Sequence, residues 1–196
     1  DGCGGLYKAV ITTTTGKRCL FRIEEESKMP KEWKGHLHLA VAPTKNNDRI
    51  EWLAEKATEI GVDEVKLFSS YHSERRVANV DRFKKIVISA MKQSVKSKMP
   101  IVEDMVSFDK LVKQNYDGQK FIAWIDDDVK EQLCDLYKKG ENALVLIGPE
   151  GDFSKEEVAL AKEYGFIPVS LGEARLRTET AAVVACHTIQ LINQMK

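Results

Sequence analysis

Two stretches near the end of the chain decide the fold: LVLIGPEGDFS at residues 144–154 and IPVSLGEARLRTETA at residues 167–181. Each begins with a short apolar run, which is typical of a strand buried on both faces of a parallel sheet. Each run then breaks at a glycine and continues into a predicted helix. The first helix begins with a capping box, Ser154 and Glu157, and the second is predicted to be capped by Thr178. Two loops at strand carboxyl ends, each followed by a helix N-terminus, predict a cleft rich in backbone N–H donors.

The chain upstream of these loops alternates between apolar runs and helical patterns of period 3.6. Strands are predicted at residues 36–42, 65–68 and 121–125. One helix is predicted to be capped by Asn47 or Asp48 and a second by Asp81, and further helices are predicted to begin at Ser107 and at the run 126–128. The last of these would continue through Leu136. Strands that alternate with helices predict an α/β fold with a mostly parallel sheet.

The first part of the chain has a different pattern. Residues 6–11 and 18–23 are predicted to form a hairpin that turns at residues 15–17. Two strands alone are marginally stable. We therefore interpret residues 1–34 as the tail of a small β domain whose first half is missing, and residues 35–196 as the main domain.

Composition limits the function classes. The chain has 196 residues, with 30 Lys and Arg against 30 Asp and Glu, so any nucleic-acid contact must come from a local patch. No apolar run reaches about 20 residues, the length that would span a bilayer, and no stretch has a signal-peptide pattern, so we expect neither a membrane span nor a signal peptide. The four cysteines have no metal-ligand spacing, which indicates reduced thiols in a cytoplasmic protein and no metal site.

Charge is uneven between residues 72 and 98, where basic residues greatly outnumber acidic ones. A solvated helix face would explain such a run, and so would a phosphate-binding surface. Arg75 and Arg76 favour binding because they follow a strand on the ligand-bearing side of a parallel sheet.

The two glycine loops lack the signatures of phosphate binding. Residues 148–151 have neither the three spaced glycines of a dinucleotide site nor a following Gly-Lys-Ser/Thr. Glu150 would repel phosphate and suits a cationic or hydroxyl-bearing ligand, although a tight turn is an equally good explanation of the glycines. Arg175 and Arg177 beside Glu179 fit either a surface ion-pair set or a binding site.

These two stretches, together with EKATEIG at residues 55–61 and KQS at residues 92–94, closely resemble the ribosomal RNA small-subunit methyltransferase E family. Its members are SPOUT-class enzymes that methylate N3 of a uridine in small-subunit (16S) ribosomal RNA. The resemblance implies S-adenosylmethionine as cofactor, a homodimer and a partial PUA-like RNA-binding β-barrel in residues 1–34. It also implies a C-terminal trefoil knot, which the general rule against knots would not predict.

The resemblance also implies the site residues. The cofactor-binding site would be lined by Trp124, Ile125, Ile147, Gly148, Pro149, Glu150, Gly151, Leu171, Gly172, Leu176, Arg177 and Thr180. Arg175 or Arg177 would stabilise the uracil anion, while Glu179 would orient that arginine or act as base. The RNA contacts would be Arg75, Arg76, Lys92 and Lys96. The partner would be ribosomal RNA or the small ribosomal subunit, with no membrane and no metal.

Two residues depart from the family pattern, and two other functions stay open. Asp152 stands where the family usually has a second glycine, and Lys96 stands where arginine is commoner. One alternative is another SPOUT enzyme that methylates a ribose 2′-hydroxyl or a transfer-RNA base. The other is a non-catalytic RNA-binding module, against which the intact Arg175, Arg177 and Glu179 speak.

Overall fold

The computed structural model describes residues 1–31 and 33–195. The strands are β1 (Gly5–Thr15), β2 (Arg18–Lys28), β3 (Leu37–Val41), β4 (Glu64–Ser69), β5 (Ile101–Val102), β6 (Val106–Ser107), β7 (Gln119–Ala123), β8 (Ala143–Ile147) and β9 (Ile167–Val169). The helices are α1 (Asn47–Ile60), α2 (Val80–Gln93), α3 (Phe108–Val112), α4 (Leu133–Leu136), α5 (Lys155–Glu163) and α6 (Thr178–Gln194).

The main sheet has seven strands, and every pairing in it is parallel. The strand order is β5-β4-β3-β8-β7-β9, with β6 beside the end of β4. One core lies between the sheet and α1, α2 and α6, and a second lies between the sheet and α3 and α5. The predicted α/β fold with a mostly parallel sheet is confirmed.

Helices α1, α2 and α5 are capped by side chains that accept hydrogen bonds from backbone N–H groups in the first turn. The predicted capping box is present, with Ser154 accepting from Glu157 N and the Glu157 side chain accepting from Ser154 N. The caps predicted for α1 and α2 are wrong, because Asn46 and Asn79 hold those positions and accept from the N–H groups of Asp48 and Arg82. Asparagine and aspartate cap about equally well, so the sequence alone did not discriminate between neighbouring candidates.

The start of α6 also differs from prediction. Arg177, rather than Thr178, is the N-cap residue, and its side chain makes no capping hydrogen bond. Thr178 is instead the first helical residue and is buried.

The predicted helix over residues 126–136 is wrong in its first half. Asp126 forms a turn, accepting from Val129 N through its carbonyl and from Asp128 N through its carboxylate. The chain then runs beside the end of β9, where Ser170 N donates to Glu131 O and Leu133 N donates to Ser170 O. Only the short helix α4 follows.

The first part of the chain forms the predicted hairpin. Strands β1 and β2 pair antiparallel in a separate two-stranded sheet, with Gly16 in the turn at φ +45°. Its side chains are almost entirely exposed. The hairpin base meets the main domain where Gly4 N donates to Ser97 O and Met99 N donates to Gly2 O. The hairpin therefore projects from the domain rather than packing on it.

Candidate functional site

A cavity of about 760 Å³ lies at the carboxyl edge of β7, β8 and β9. Three segments form its walls: the loop after β8, the loop after β9 and the turn after β7. Because the strands are parallel, their carboxyl ends meet at one edge, which is where ligands bind in open α/β sheets. The cleft predicted from the two glycine loops is therefore present.

The first wall is the loop from Gly148 to Phe153, which the loop after β4 supports from outside. A Cβ built on Gly151 would lie 2.9 Å from the Cβ of His72, so only glycine fits there without displacement. The His72 Nδ1 atom lies 3.0 Å from the backbone oxygen of Asp152. These two loops are therefore in direct contact.

Hydrogen bonds to two glutamates, Glu157 and Glu150, help to hold the same pair of loops together. Glu157, in the first turn of α5, accepts from Ser70 Oγ at 3.0 Å and from Tyr71 N at 2.8 Å. Glu150 accepts from Lys45 N at 3.0 Å, and Arg75 donates to Lys45 O at 2.8 Å. Glu157, the second member of the capping box of α5, thus also anchors the loop after β4.

The second wall is the loop from Ser170 to Arg177. Gly172 has φ +114°, a left-handed conformation that L side chains rarely adopt. The Ser170 hydroxyl lies 3.2 Å from Gly172 N and 3.1 Å from Gly172 O, which closes the turn. Glycine is required here by its backbone rather than by close packing, since a Cβ would meet nothing within 4 Å.

The third wall follows β7, and only its first two residues, Trp124 and Ile125, were predicted from the sequence. Asp126, Asp127, Val129, Lys130 and Gln132 line the cavity from the turn after β7. The available signal was their place directly after a predicted strand, on the ligand-bearing edge. The three successive aspartates were instead interpreted as the start of a helix.

Most of the residues predicted to line the cofactor do line the cavity. They are Trp124, Ile125, Ile147, Gly148, Pro149, Glu150, Leu171, Gly172, Leu176 and Arg177. Of the described residues predicted for this role, Gly151 and Thr180 are not among those that line it. Gly151 supports the first loop against His72, and Thr180 lies in the first turn of α6.

The three predicted catalytic residues differ in their burial. Arg175 and Arg177 are exposed and line the cavity. Glu179 is only 8% exposed, and its Oε1 atom lies 3.6 Å from the Nε atom of Arg49 on α1. Its Oε2 atom is buried without a hydrogen-bond partner in the part of the chain that the structure describes. The structure thus pairs Glu179 with Arg49.

The four predicted RNA contacts lie at two different places. Arg75 and Arg76 follow β4 at the carboxyl edge of the sheet, next to the first cavity loop. Lys92 and Lys96 lie at the far end of α2, where Lys96 Nζ is 3.6 Å from the Cβ position of Gly61. A helix of 14 residues is about 21 Å long, so the two pairs do not form one compact patch.

Charge in the cavity favours a cationic ligand. Its lining contains five carboxylates (Asp126, Asp127, Glu150, Asp152 and Glu173) and three cations (Lys130, Arg175 and Arg177), an excess of two negative charges. The walls also supply apolar side chains, among them those of Ile147, Val169, Leu171 and Leu176. This combination fits S-adenosylmethionine, which has an apolar-faced adenine and a sulfonium, better than it fits a polyphosphate.

Within residues 1–31 and 33–195, no group of three or more His, Cys, Asp or Glu could hold a metal ion. Over the same residues, no helix has the length and apolar character needed to cross a membrane.

Comparison with known proteins agrees with this geometry. A model of the RNA methyltransferase domain family matches residues 31–190. The chain is 28% identical over 197 residues to the ribosomal RNA small subunit methyltransferase E of Rickettsia conorii, covering 98% of this chain and 79% of the relative.

Solved structures show the same likeness. A probable rRNA-methyltransferase from Porphyromonas gingivalis superposes with a TM-score of 0.92 and 43% identity, over 98% of this chain and 82% of that one. The ribosomal RNA small subunit methyltransferase E from Neisseria gonorrhoeae, bound to S-adenosyl methionine, gives a TM-score of 0.87 and 28% identity, over 97% and 80%.

The fold, the site and the family match together define the class: the chain is an α/β protein with a parallel sheet and a cavity at its carboxyl edge, and it has an RNA methyltransferase domain. Within that class, the chain belongs to the ribosomal RNA small subunit methyltransferase E family.

Proposed function

We propose that this protein transfers a methyl group from S-adenosylmethionine to N3 of a uridine in small-subunit (16S) ribosomal RNA. The observation that carries the proposal is the placement of Arg175 and Arg177 on the wall of an acidic cavity between two glycine loops. Further support comes from the names of the relatives and from the bound S-adenosyl methionine of the gonococcal structure.

The cofactor is held by the loops that line the cavity. The apolar side chains of Ile147, Leu171 and Leu176 suit the faces of adenine, and the loop backbones supply N–H and C=O groups for its edges. When bound, S-adenosylmethionine supplies an electrophilic methyl group on a sulfonium, which becomes a neutral thioether once the methyl has been transferred. The excess of carboxylates in the wall favours the cationic form.

The arginines serve the acceptor base. Uracil N3 carries a proton, so methylation requires that proton to leave and negative charge to spread over O2 and O4. Arg175 and Arg177, exposed on the cavity wall, stabilise that charge as it develops. The buried position of Glu179 beside Arg49 supports a positioning role for this carboxylate more than the role of base.

RNA contacts extend outward from the cavity. Arg76 is exposed beside the first loop and contacts phosphate, with Arg75 behind it donating to Lys45 O. Lys92 and Lys96 form a second contact at the other end of α2. The target uridine has to be unstacked to reach the methyl group, as for other enzymes that modify bases.

The proposal includes the wider organisation of the family. Residues 1–34 form part of a PUA-like barrel, in which the exposed side chains of Val10, Ile11, Leu20, Phe21 and Ile23 would be covered. Residues 35–196 form a SPOUT domain with a C-terminal trefoil knot, acting in the cytoplasm.

A homodimer is part of the same proposal. Helices α1 and α6 run side by side in one direction, since Arg49 contacts Glu179 near their starts and Gln190 bonds Gly61 near their ends. Trp52 on α1 is 43% exposed and Leu191 on α6 is 46% exposed. These apolar side chains on neighbouring helices favour a second copy as the partner.

The test is methyl transfer to small ribosomal subunits isolated from cells that lack the protein. We expect labelled S-adenosylmethionine to modify one uridine and to block reverse transcription there, because N3 lies on the Watson–Crick edge. A methylated ribose 2′-hydroxyl would leave the base pairing edge intact, and a labelled transfer RNA would move the activity to another substrate. RNA binding without transfer would favour the non-catalytic module.

A further inference from the structure

Asp152 is an unusual residue in the first wall of the cavity. Its φ of +61° lies in the left-handed region, which glycine adopts freely and aspartate adopts more readily than most residues. The side chain is half-buried and lines the cavity. A carboxylate side chain thus occupies a position with positive φ, where glycine would be free of backbone strain.

The Asp152 carboxylate connects two walls of the cavity. Its Oδ2 atom accepts from Ile125 N at 3.0 Å, in the segment that follows β7, and its Oδ1 atom accepts from Phe153 N at 2.8 Å, within its own loop. Two backbone donors fix the orientation of the group, so its charge has a defined place in the wall.

Both oxygens of the Asp152 side chain accept from backbone N–H groups, which is the hydrogen-bonding pattern of a carboxylate. Burial is the largest influence and raises the pKa of the Asp152 carboxyl above its usual value, while the two N–H donors, Arg175 and His72 act in the opposite direction. Hydrogen bonds donated to a carboxylate favour ionisation. Of the other four acids in the lining, Asp127, Glu150 and Glu173 are exposed, so water screens their charge more strongly.

We propose that Asp152 is a specificity-determining residue that favours the cationic cofactor over its neutral product. This inference rests on the proposed function, and concerns the sulfur atom of the ligand. S-Adenosylmethionine and S-adenosylhomocysteine share the adenosine, the ammonium and the carboxylate, and differ in the methyl group and in the charge on sulfur. A fixed carboxylate in the cavity wall therefore attracts the substrate more than the product, and the product leaves more readily.

The experiment measures the affinity of both ligands for the full chain by titration calorimetry. The variant Asp152→Asn removes the charge and one of the two acceptors. Loss of the contact to Ile125 or Phe153 weakens both ligands alike, so the ratio of the two dissociation constants isolates the effect of charge. We expect the preference for S-adenosylmethionine over S-adenosylhomocysteine to fall about tenfold, the order expected for two charges several ångströms apart in a partly screened site.

Two further variants complete the design. Asp152→Gly places the residue usual in the family at this position and removes the backbone strain. We expect the same fall in the ratio of the two dissociation constants. This variant therefore tests the proposal even if Asp152→Asn fails to fold. Glu173→Gln is the matched control, because it removes an exposed carboxylate from the same cavity, and its ratio should change less than about twofold.

The outcomes separate the inference from the function on which it rests. If both ligands bind and the ratio is unchanged in Asp152→Asn and Asp152→Gly, the inference is wrong and the proposed function stands. An equal change in Glu173→Gln would also overturn it, since the effect would then belong to the cavity as a whole. If the unmodified protein binds neither ligand, both the proposed function and this inference are wrong.

Discussion

His38 makes the stability of this protein sensitive to mild acid. The residue lies on β3 with 5% exposure, and its Nε2 atom is 3.4 Å from Glu64 Oε1. The pKa of His38 is lowered from 6.5 to about 4, chiefly by burial and to a smaller extent by Lys66 and His36, while Glu64 acts in the opposite direction. The imidazole is therefore neutral in the folded protein at a pH where it is protonated in the unfolded chain.

The sign and size of the effect follow from this difference. Below pH 6.5 the unfolded state binds a proton that the folded state does not bind until about pH 4. The free energy of unfolding therefore falls as pH decreases through this window. A difference of about 2.5 pKa units corresponds to about 3 kcal/mol, a large part of the stability of a typical domain.

Urea denaturation at several pH values between 7.5 and about 4 provides the assay. In His38→Gln the side chain stays neutral, so the loss of unfolding free energy on acidification should be smaller by about 3 kcal/mol than in the unmodified protein. His187→Gln, at an exposed position on α6, is the control. The reasoning is refuted if the difference between the unmodified protein and His38→Gln is the same at every pH.

Three other perturbations test the site. Gly172→Val forces a β-branched residue to φ +114°, a strain of about 1–3 kcal/mol, so calorimetry should show that S-adenosylmethionine binding is lost while circular dichroism stays normal; unchanged affinity would contradict the assigned second wall. Arg76→Ala should lower the salt dependence of RNA affinity by about one unit of log K per log salt and leave single-turnover transfer at saturating RNA unchanged. Arg175→Ala should instead reduce the single-turnover rate and leave RNA affinity and its salt dependence nearly unchanged. If each variant shows the result expected of the other, the two roles are exchanged. Arg49→Ala should lower the melting temperature by leaving Glu179 as a buried charge, and adding Glu179→Gln should restore part of the loss; simple additivity in this double-mutant cycle would mean that the pair does not interact.

The sequence predicted the two glycine loops of the site well because their signals are local. A buried strand, a glycine break and a helix start lie within about a dozen residues of one another, and the parallel sheet then places both loops at one edge. Ten of the twelve cofactor residues implied by the family resemblance line the cavity, and eight of the ten belong to these two stretches. The capping box at Ser154 was equally visible, since its two members are three residues apart.

The features that the sequence did not reveal depend on distant partners. Asp126 can cap a helix or close a turn with similar local geometry, and the choice is made by the pairing of the following residues with Ser170. The contact of Glu179 with Arg49 joins residues 130 positions apart along the chain. No helical or strand periodicity encodes such pairs, so the contact between Glu179 and Arg49 was not predicted from the sequence.

The pairing of β3 with β8 has a consequence for synthesis of the protein. The first strand of the main sheet acquires its inner neighbour only from residues 143–147, and the contact of His36 N with Asn142 spans 106 positions. On the ribosome, β3 is therefore synthesised long before β8, and the edge of β3 that pairs with β8 stays unpaired during that time. Because such long-range closure slows folding, this protein should compact late and depend on protection of its nascent strands during translation.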